Sequence, residues 1–414
     1  MAFEKKKPVV SSLILVVPDF PGSDSGTGQR SLLFLDAAAE LGPVHVVILS
    51  HHIPNDAALQ LPQAASVVNW GEGSLKPTGV IRYLPLFTLR VLRLLAPQKF
   101  YQADPNFRRQ LDRLIDQTGT KVVLFRYFRT FAATGLFKRD PLTVMVDIDD
   151  RDDQKYTSRL TSTFGERLGG TWAFRASMRK LALIMQNRLS KASLVWFTAC
   201  EDAWTLPGTQ TAILPNVART VPVLTVPLPP SQGDSILFVG IYSHTPNRDG
   251  ISWFLDHCWA ELSRRFPQIR LRIVGRGMLW HEMAARYTHL ERVDFVGPVD
   301  DLDVEYNRAR LCICPVREGG GSKIKVIEAA AFGRPIVGVP HAFRGFDEGI
   351  RDHATEALTP KDFVEACAAF LSDDGHADRS GKALAEWQRR NYSYEAAKDR
   401  IKADILSTLS VQKR

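Results

Sequence analysis

Residues 311–333 read LCICPVREGGGSKIKVIEAAAFG. The first five form an apolar run of strand length, short enough to be buried on both faces. Glycines fill 319, 320 and 321. From Ser322, a predicted N-cap, apolar residues recur at helical spacing up to Gly333, which suits the position just past a helix end. Strand, glycine loop and helix start together favour an anion. The glycines let backbone N–H groups approach it closely, and the helix start adds a partial positive charge. Arg317, Lys323 and Lys325 add full charges around that start. Glu328 lies one helical turn beyond Lys325 and shares its face. A carboxylate there can accept hydrogen bonds from two ribose hydroxyls. The other reading is a plain strand–loop–helix with a solvated basic start, but three glycines are costly where only structure is needed.

Working outward, similar apolar runs occur at 13–17, 44–49, 121–125, 143–146, 193–198 and 211–214, then at 236–239, 271–274, 293–296 and 335–339. Helix-like stretches separate them, the alternation of an α/β protein with parallel sheets. Between the two series, residues 220–234 (TVPVLTVPLPPSQGD) hold four prolines. Such a segment cannot form a helix and reads as a semi-rigid hinge. The expected architecture is two Rossmann-like doubly wound domains facing across a cleft, at 1–219 and 235–388, with 389–414 a terminal helix able to cross back. Ligands of such sheets bind beyond the carboxyl ends of the strands.

At 414 residues, with 45% hydrophobic and 24% charged residues, the chain is long enough for two globular domains and lacks the bias of a disordered or fibrous protein. Its formal charge of +8 is too small to choose among anionic partners. Five scattered cysteines without a C-x-x-C pair argue against a disulfide framework or zinc ribbon and for a reducing cytoplasm. Cys312 and Cys314 alternate within a strand and read as core. Lys5–Lys7 precede an apolar run as in a signal peptide, but Pro18–Gly22 follows without a cleavage pattern, so the run reads as a first strand. No apolar stretch is long enough to span a bilayer.

The stretch from Arg317 to Val337, R-x-G-G-G-S-K-I-K-V-I-E-A-x-A-x-G-R-P-I-V, resembles the donor-site motif of GT-B retaining glycosyltransferases of family 4, the type that builds bacterial surface polysaccharide and lipopolysaccharide. Phe238-Val-Gly240, Pro246-Asn247, Gly250 and Trp253 are similar to that family's opening of the C-terminal domain. Val293–Gly297 is similar to a later strand end, and Pro18-x-x-Pro21 with Gly26-x-Gly28 to its N-terminal glycine loop. The resemblance implies transfer of a hexosyl group from a UDP-, GDP- or dTDP-sugar to a hydroxyl of a glycan or lipid-linked acceptor, with the anomeric configuration kept. It implies an acceptor-binding N-terminal domain and a nucleotide-binding C-terminal one. It puts Glu328 on the ribose and Arg317, Lys323 and Lys325 on the diphosphate. Gly297 and Val299 would flank the base, and Gly26 and Gly28 would approach the phosphates. Gly240, Gly319, Gly320, Gly321 and Ser322 line the same site. Neither a metal nor a cofactor is implied, since cations and helix dipoles neutralise the leaving group. The first glutamate of the family's E-x7-E pattern is missing, with Gly320 in its place, and no N-domain histidine is obvious. Two rivals follow: a GT-B sugar-nucleotide epimerase, or an inactive GT-B-like scaffold.

A second cluster, Arg126–Arg129 with Asp147, Asp149, Asp150, Asp152 and Asp153, falls at predicted strand ends. Asp149 is a candidate for orienting a sugar. The Asp147/Asp149 spacing also fits a hard divalent cation, and a solvated acidic loop is a further reading. The positive charge is concentrated in residues 82–109 and 159–191, which carry +5 and +6. Both have apolar stripes, with Trp172, Met178, Leu181, Ile184 and Met185 in the second. A basic amphipathic helix suits an anionic membrane surface, the expected partner for a cytoplasmic, membrane-peripheral enzyme; nucleic acid is not expected.

Overall fold

The computed structural model describes residues 9–22, 26–50, 53–54, 56–71, 101–135, 142–154, 172–217, 228–277 and 280–412, with isolated positions between 85 and 99. The chain divides into two compact units, Met1–Leu214 with Ala397–Arg414, and Pro215–Ala396.

The first unit is a seven-stranded parallel sheet in the order β3-β2-β1-β4-β5-β6-β7. Its strands are β1 (Leu13–Val17), β2 (Val44–Ile48), β3 (Ser66–Asn69), β4 (Val122–Arg126), β5 (Thr143–Ile148), β6 (Leu194–Phe197) and β7 (Gln210–Ile213). All five residues of β1 and of β4 are buried. That is why they read as unbroken apolar runs rather than alternating ones. β3 was not among the predicted strands: it is an edge strand, half-buried, and ends in exposed Asn69.

Helix α1 (Gly26–Ala39) follows β1. Helix α2 (Pro105–Thr118) shows local rules at both ends. The Asp104 carboxylate accepts from the Asn106 N–H at 2.8 Å, and Gly119 adopts a left-handed φ of +62°. Helices α3 (Phe128–Thr134) and α4 (Trp172–Leu189) precede β5 and β6.

The second unit is a six-stranded parallel sheet in the order β10-β9-β8-β11-β12-β13. Its strands are β8 (Ser235–Val239), β9 (Arg270–Val274), β10 (Val293–Gly297), β11 (Ala309–Cys314), β12 (Ile336–Gly338) and β13 (Thr355–Glu356). The two-residue edge strand β13 was not predicted; it is too short to leave a pattern. Cys312 and Cys314 are buried core, as expected. The helices used below are α5 (Thr245–Phe254), α6 (Leu302–Arg308), α7 (Ile324–Ala331), α8 (Pro360–Ser372), α9 (Asp374–Asn391) and α10 (Tyr394–Gln412). α10 returns the chain to the first unit. There Lys398 and Lys402 pair with Glu40, and the Trp196 indole N–H donates to Asp404.

Each sheet reverses its winding once, between β1 and β4 in the first unit and between β8 and β11 in the second. Ligands of doubly wound sheets bind at such switch points. Of the hinge segment of the sequence reading, residues 220–227 lie outside the described residues, while Pro230–Gln232 form a short 3₁₀ turn, against the expectation of no helix, and belong to the second unit.

Candidate functional site

In the second unit, the loops leaving β8 and β11 meet at the switch point. The β8 loop, from Gly240 to His244, enters α5, whose first turn holds Pro246 and Asn247. The β11 loop is the glycine run, entering α7. A Cβ on Gly319 would stand 3.4 Å from Pro246 Cγ, so the second loop lies against the first turn of α5. Two helix starts therefore converge on one crevice, each with outward-facing N–H groups and a partial positive charge.

The glycine loop is held from beneath by its own lysine. The Lys323 ammonium donates to the carbonyls of Gly320 at 2.9 Å, Gly321 at 3.2 Å and Gly319 at 3.4 Å. In a trans peptide the N–H points opposite to the C=O. The N–H groups of Gly320, Gly321 and Ser322 therefore face away from this ammonium, as in an anion-binding nest. The turn needs left-handed backbone at Gly319 (φ +104°) and Gly321 (φ +64°), which L side chains rarely adopt. The His341 ring N–H donates to the Gly319 carbonyl at 2.8 Å and pins the loop from β12.

Two sequence expectations change here. Ser322 is not the N-cap of α7: Lys323 is, with extended backbone. The Ser322 hydroxyl instead accepts from the Asn216 backbone N–H at 2.8 Å. Lys323, expected on a diphosphate, has its ammonium turned onto the loop carbonyls.

Lys325 remains at the crevice. It donates to the Asn247 side-chain carbonyl at 2.6 Å and lies 4.5 Å from the centre of the Phe238 ring. Burial brings its ammonium down to about 8. A Cβ on Gly240 would fall 2.9 Å from Asn247 Cγ, so glycine there leaves room for the Lys325–Asn247 pair. The exposed Arg317 guanidinium lies over the Trp253 ring at 5.5 Å. Glu318 is also exposed, and partial burial with Asp249 nearby pushes its carboxyl up. Glu328 is half-buried and accepts from the Tyr306 hydroxyl at 2.8 Å. Gly297 ends β10, at the sheet edge, and Val299 packs partly buried against the core; the Gly297 carbonyl accepts from the Gly275 N–H at 2.8 Å.

The structure thus brings together Gly240, Gly319, Gly320, Gly321, Ser322, Lys323 and Lys325, with Glu328 on the same helix. Sequence reasoning missed His341 and Tyr306. His341 had a usable signal, since it follows a predicted strand at its carboxyl end.

At the switch point of the first unit, Arg30 and Arg126 enclose Asp147. Arg30 donates two hydrogen bonds to its carboxylate, at 2.6 and 3.0 Å, and Arg126 pairs with the same carboxylate at Oδ2. All three side chains are at most 3% exposed. Asp149, 3.5 Å from Arg126, accepts from the Tyr127 hydroxyl at 2.7 Å. Burial, with the Asp149 charge, holds the Tyr127 phenol well above its usual range, so it stays a donor. Asp147 is thus an internal counter-ion rather than one half of a chelating pair. Asp149, expected to orient a sugar, is 12% exposed and braces Tyr127, whose backbone has a strained φ of +70°. Gly28 lets the preceding loop close over α1: a Cβ there would stand 2.7 Å from the Gly22 carbonyl oxygen. Gly26, at the start of α1, has open space beside it.

The apolar stripe of α4 also reads differently in three dimensions. Met178, Leu181 and Met185 are buried. The outward face instead carries Arg175, Arg179 and Lys180 with Trp172 and Leu183, which are 84% and 59% exposed. Of the first basic segment, Arg90 and Arg93 lie outside the described residues. No described helix is long and apolar enough to cross a membrane.

No curated protein matches the chain in sequence. Residues 233–373 match the family Glycosyl transferases group 1. Among solved structures, sucrose-phosphate synthase from Thermosynechococcus elongatus is 17% identical with a TM-score of 0.67, over 97% of this chain and 99% of that one. WaaG, a glycosyltransferase involved in lipopolysaccharide biosynthesis, is 13% identical with a TM-score of 0.58, over 94% and 99%. HepE from Anabaena, in complex with UDP and glucose, is 12% identical with a TM-score of 0.57, over 97% and 99%. The chain has the two doubly wound units of the GT-B fold, and residues 233–373 of its second unit are similar to the family Glycosyl transferases group 1.

Proposed function

We propose that this protein is a glycosyltransferase that takes a nucleoside-diphosphate sugar as donor and holds the nucleotide in its second unit. One observation carries the reading: two helix starts, a glycine nest and the Lys325 ammonium converge at the β8/β11 switch point. Each offers positive charge or N–H donors to the same small volume, as a diphosphate requires. Glu328, three residues beyond Lys325 on α7, is the acceptor for the ribose hydroxyls. The matching family segment supports the activity, and the UDP seen with HepE makes UDP-sugars the first donors to test.

Transfer proceeds to a hydroxyl of a glycan or lipid-linked acceptor with the anomeric configuration retained, in bacterial surface polysaccharide synthesis. The crevice cations neutralise the leaving diphosphate, so turnover is expected to survive EDTA. The test is a thermal-shift panel of nucleotide sugars, where a true donor at about 100 times its Kd adds about 2.7 kcal/mol. Product analysis of the hit follows. Sugar transfer only with an acceptor present supports the reading; donor conversion without one marks an epimerase, and binding without turnover on any acceptor marks a scaffold.

The Lys325 ammonium sets a pH dependence. Its proton is held below about 8 and lost above it, because burial favours the neutral amine. Only the charged form adds the ammonium's attraction to that of the helix starts and the glycine nest. Nucleoside-diphosphate affinity is therefore expected to be level below pH 7 and to fall about tenfold per pH unit above about 8. Calorimetry from pH 6.5 to 9.5 reads this, and Lys325→Met should flatten the profile. A wild-type profile without a break near 8 would exclude Lys325 as the diphosphate cation.

The outward face of α4 is our candidate for an anionic membrane surface. Each cation near such a surface contributes about 1 kcal/mol, screened over about 8 Å at physiological salt. Co-sedimentation with liposomes should rise with anionic lipid and fall with salt, and Arg179→Glu with Lys180→Glu should release the protein without changing nucleotide affinity. Equal sedimentation with neutral and anionic vesicles would leave this face as plain surface.

A further inference from the structure

Helix α6 lies between β10 and β11, and the Asp301 carboxylate caps it through the Asp303 N–H. Its Tyr306 is 2% exposed. The ring stacks on Phe332 with centroids 5.0 Å apart and planes 8° from parallel. The hydroxyl reaches Glu328 Oε2 at 2.8 Å. Glu328 and Phe332 are four residues apart around α7, so they share a face. One buried side chain therefore grips that face twice, by stacking at the helix end and by a hydrogen bond one turn earlier.

An ionised carboxylate only accepts, so the phenol must be the donor. Burial and the neighbouring Glu328 charge both hold the phenol well above its usual range, so it keeps its proton across the working pH. A free glutamate side chain samples many rotamers, and binding through it costs that freedom. Fixing one oxygen from a rigid, stacked ring removes much of the cost before ligand arrives.

Building on the reading of Glu328 as the ribose acceptor, we propose that Tyr306 is a positioning residue that orients the Glu328 carboxylate toward the hydroxyls of the nucleotide ribose. Tyr306 touches no ligand itself. It makes the site selective for a ribonucleotide over a deoxygenated one.

Tyr306→Phe keeps the ring and its stack on Phe332 and removes only the hydroxyl. Wild type, Tyr306→Phe and Glu328→Gln are each titrated with UDP and with 2′,3′-dideoxy-UDP, with melting temperature as a folding control. Wild type is expected to prefer UDP. In Tyr306→Phe that preference should shrink about tenfold, the scale of one charge-assisted hydrogen bond, while dideoxy-UDP binds as before. A purely structural role would weaken both nucleotides by the same factor, and that result overturns the proposal. So does full retention of the preference in Tyr306→Phe. If Glu328→Gln loses the preference while Tyr306→Phe keeps it, Tyr306 alone is excluded. If wild type shows no preference, or Glu328→Gln keeps it, the Glu328 reading fails and takes the Tyr306 proposal with it.

Discussion

Asp147→Asn is expected to lower the unfolding free energy by about 3–5 kcal/mol, the usual cost of leaving a buried charge without its partner. The substitution preserves volume, so packing does not confound it. What it removes is the negative charge enclosed by Arg30 and Arg126, two guanidiniums at most 3% exposed. Burial already lowers both below the ordinary arginine value. Asp149 remains as a carboxylate, but it lies 3.5 Å from Arg126 and already accepts from Tyr127. Urea unfolding at constant m-value measures the effect. A loss under about 1 kcal/mol, the surface-pair range, would mean that the cluster is solvated rather than sealed. Because Tyr127 and Asp149 rest on the same cluster, the variant should also disturb the backbone after β4.

Glu328→Ala is expected to weaken nucleoside-diphosphate binding by about 3 kcal/mol, more than a hundredfold. On the proposed role of Glu328, two charge-assisted hydrogen bonds to the ribose are lost together, and the Tyr306 hydroxyl loses its acceptor in a buried place. Inorganic diphosphate, which has no ribose, should bind the variant nearly as well as wild type. Unchanged UDP affinity by calorimetry would remove Glu328 from the site.

Much of this was legible because burial on both faces leaves a signal in a strand. β1, β4 and β11 are wholly buried and stand out as apolar runs. β3 and β13 were illegible because edge strands are half-exposed and short. The glycine loop was legible because three glycines have few other uses. The tasks of its two lysines were not. Residue type makes Lys323 and Lys325 equal, but Lys323 caps the helix with extended backbone and turns under the loop, whereas Lys325 lies within the first turn. Asp149 was legible as a carboxylate at a strand end, but its contacts were not, because Tyr127 and Arg126 reach it from the preceding strand's end. Tyr306 was invisible for the same reason: its partner is 22 residues away on another helix. In α4 most of the predicted stripe shares one face, but Trp172, counted in it, lies on the other, and period alone does not say which face meets the core. Met178, Leu181 and Met185 took the inside, leaving the cations with Trp172 and Leu183 outside.

The central claim is that the nucleotide binds at the β8/β11 switch point of the second unit. Amide hydrogen exchange with and without saturating UDP tests it most directly, since it reads the backbone N–H groups proposed to hold the diphosphate. Slowed exchange at residues 240–248 and 317–325 is the expected result. UDP binding that leaves both segments unprotected, with protection confined to other parts of the chain, would contradict it.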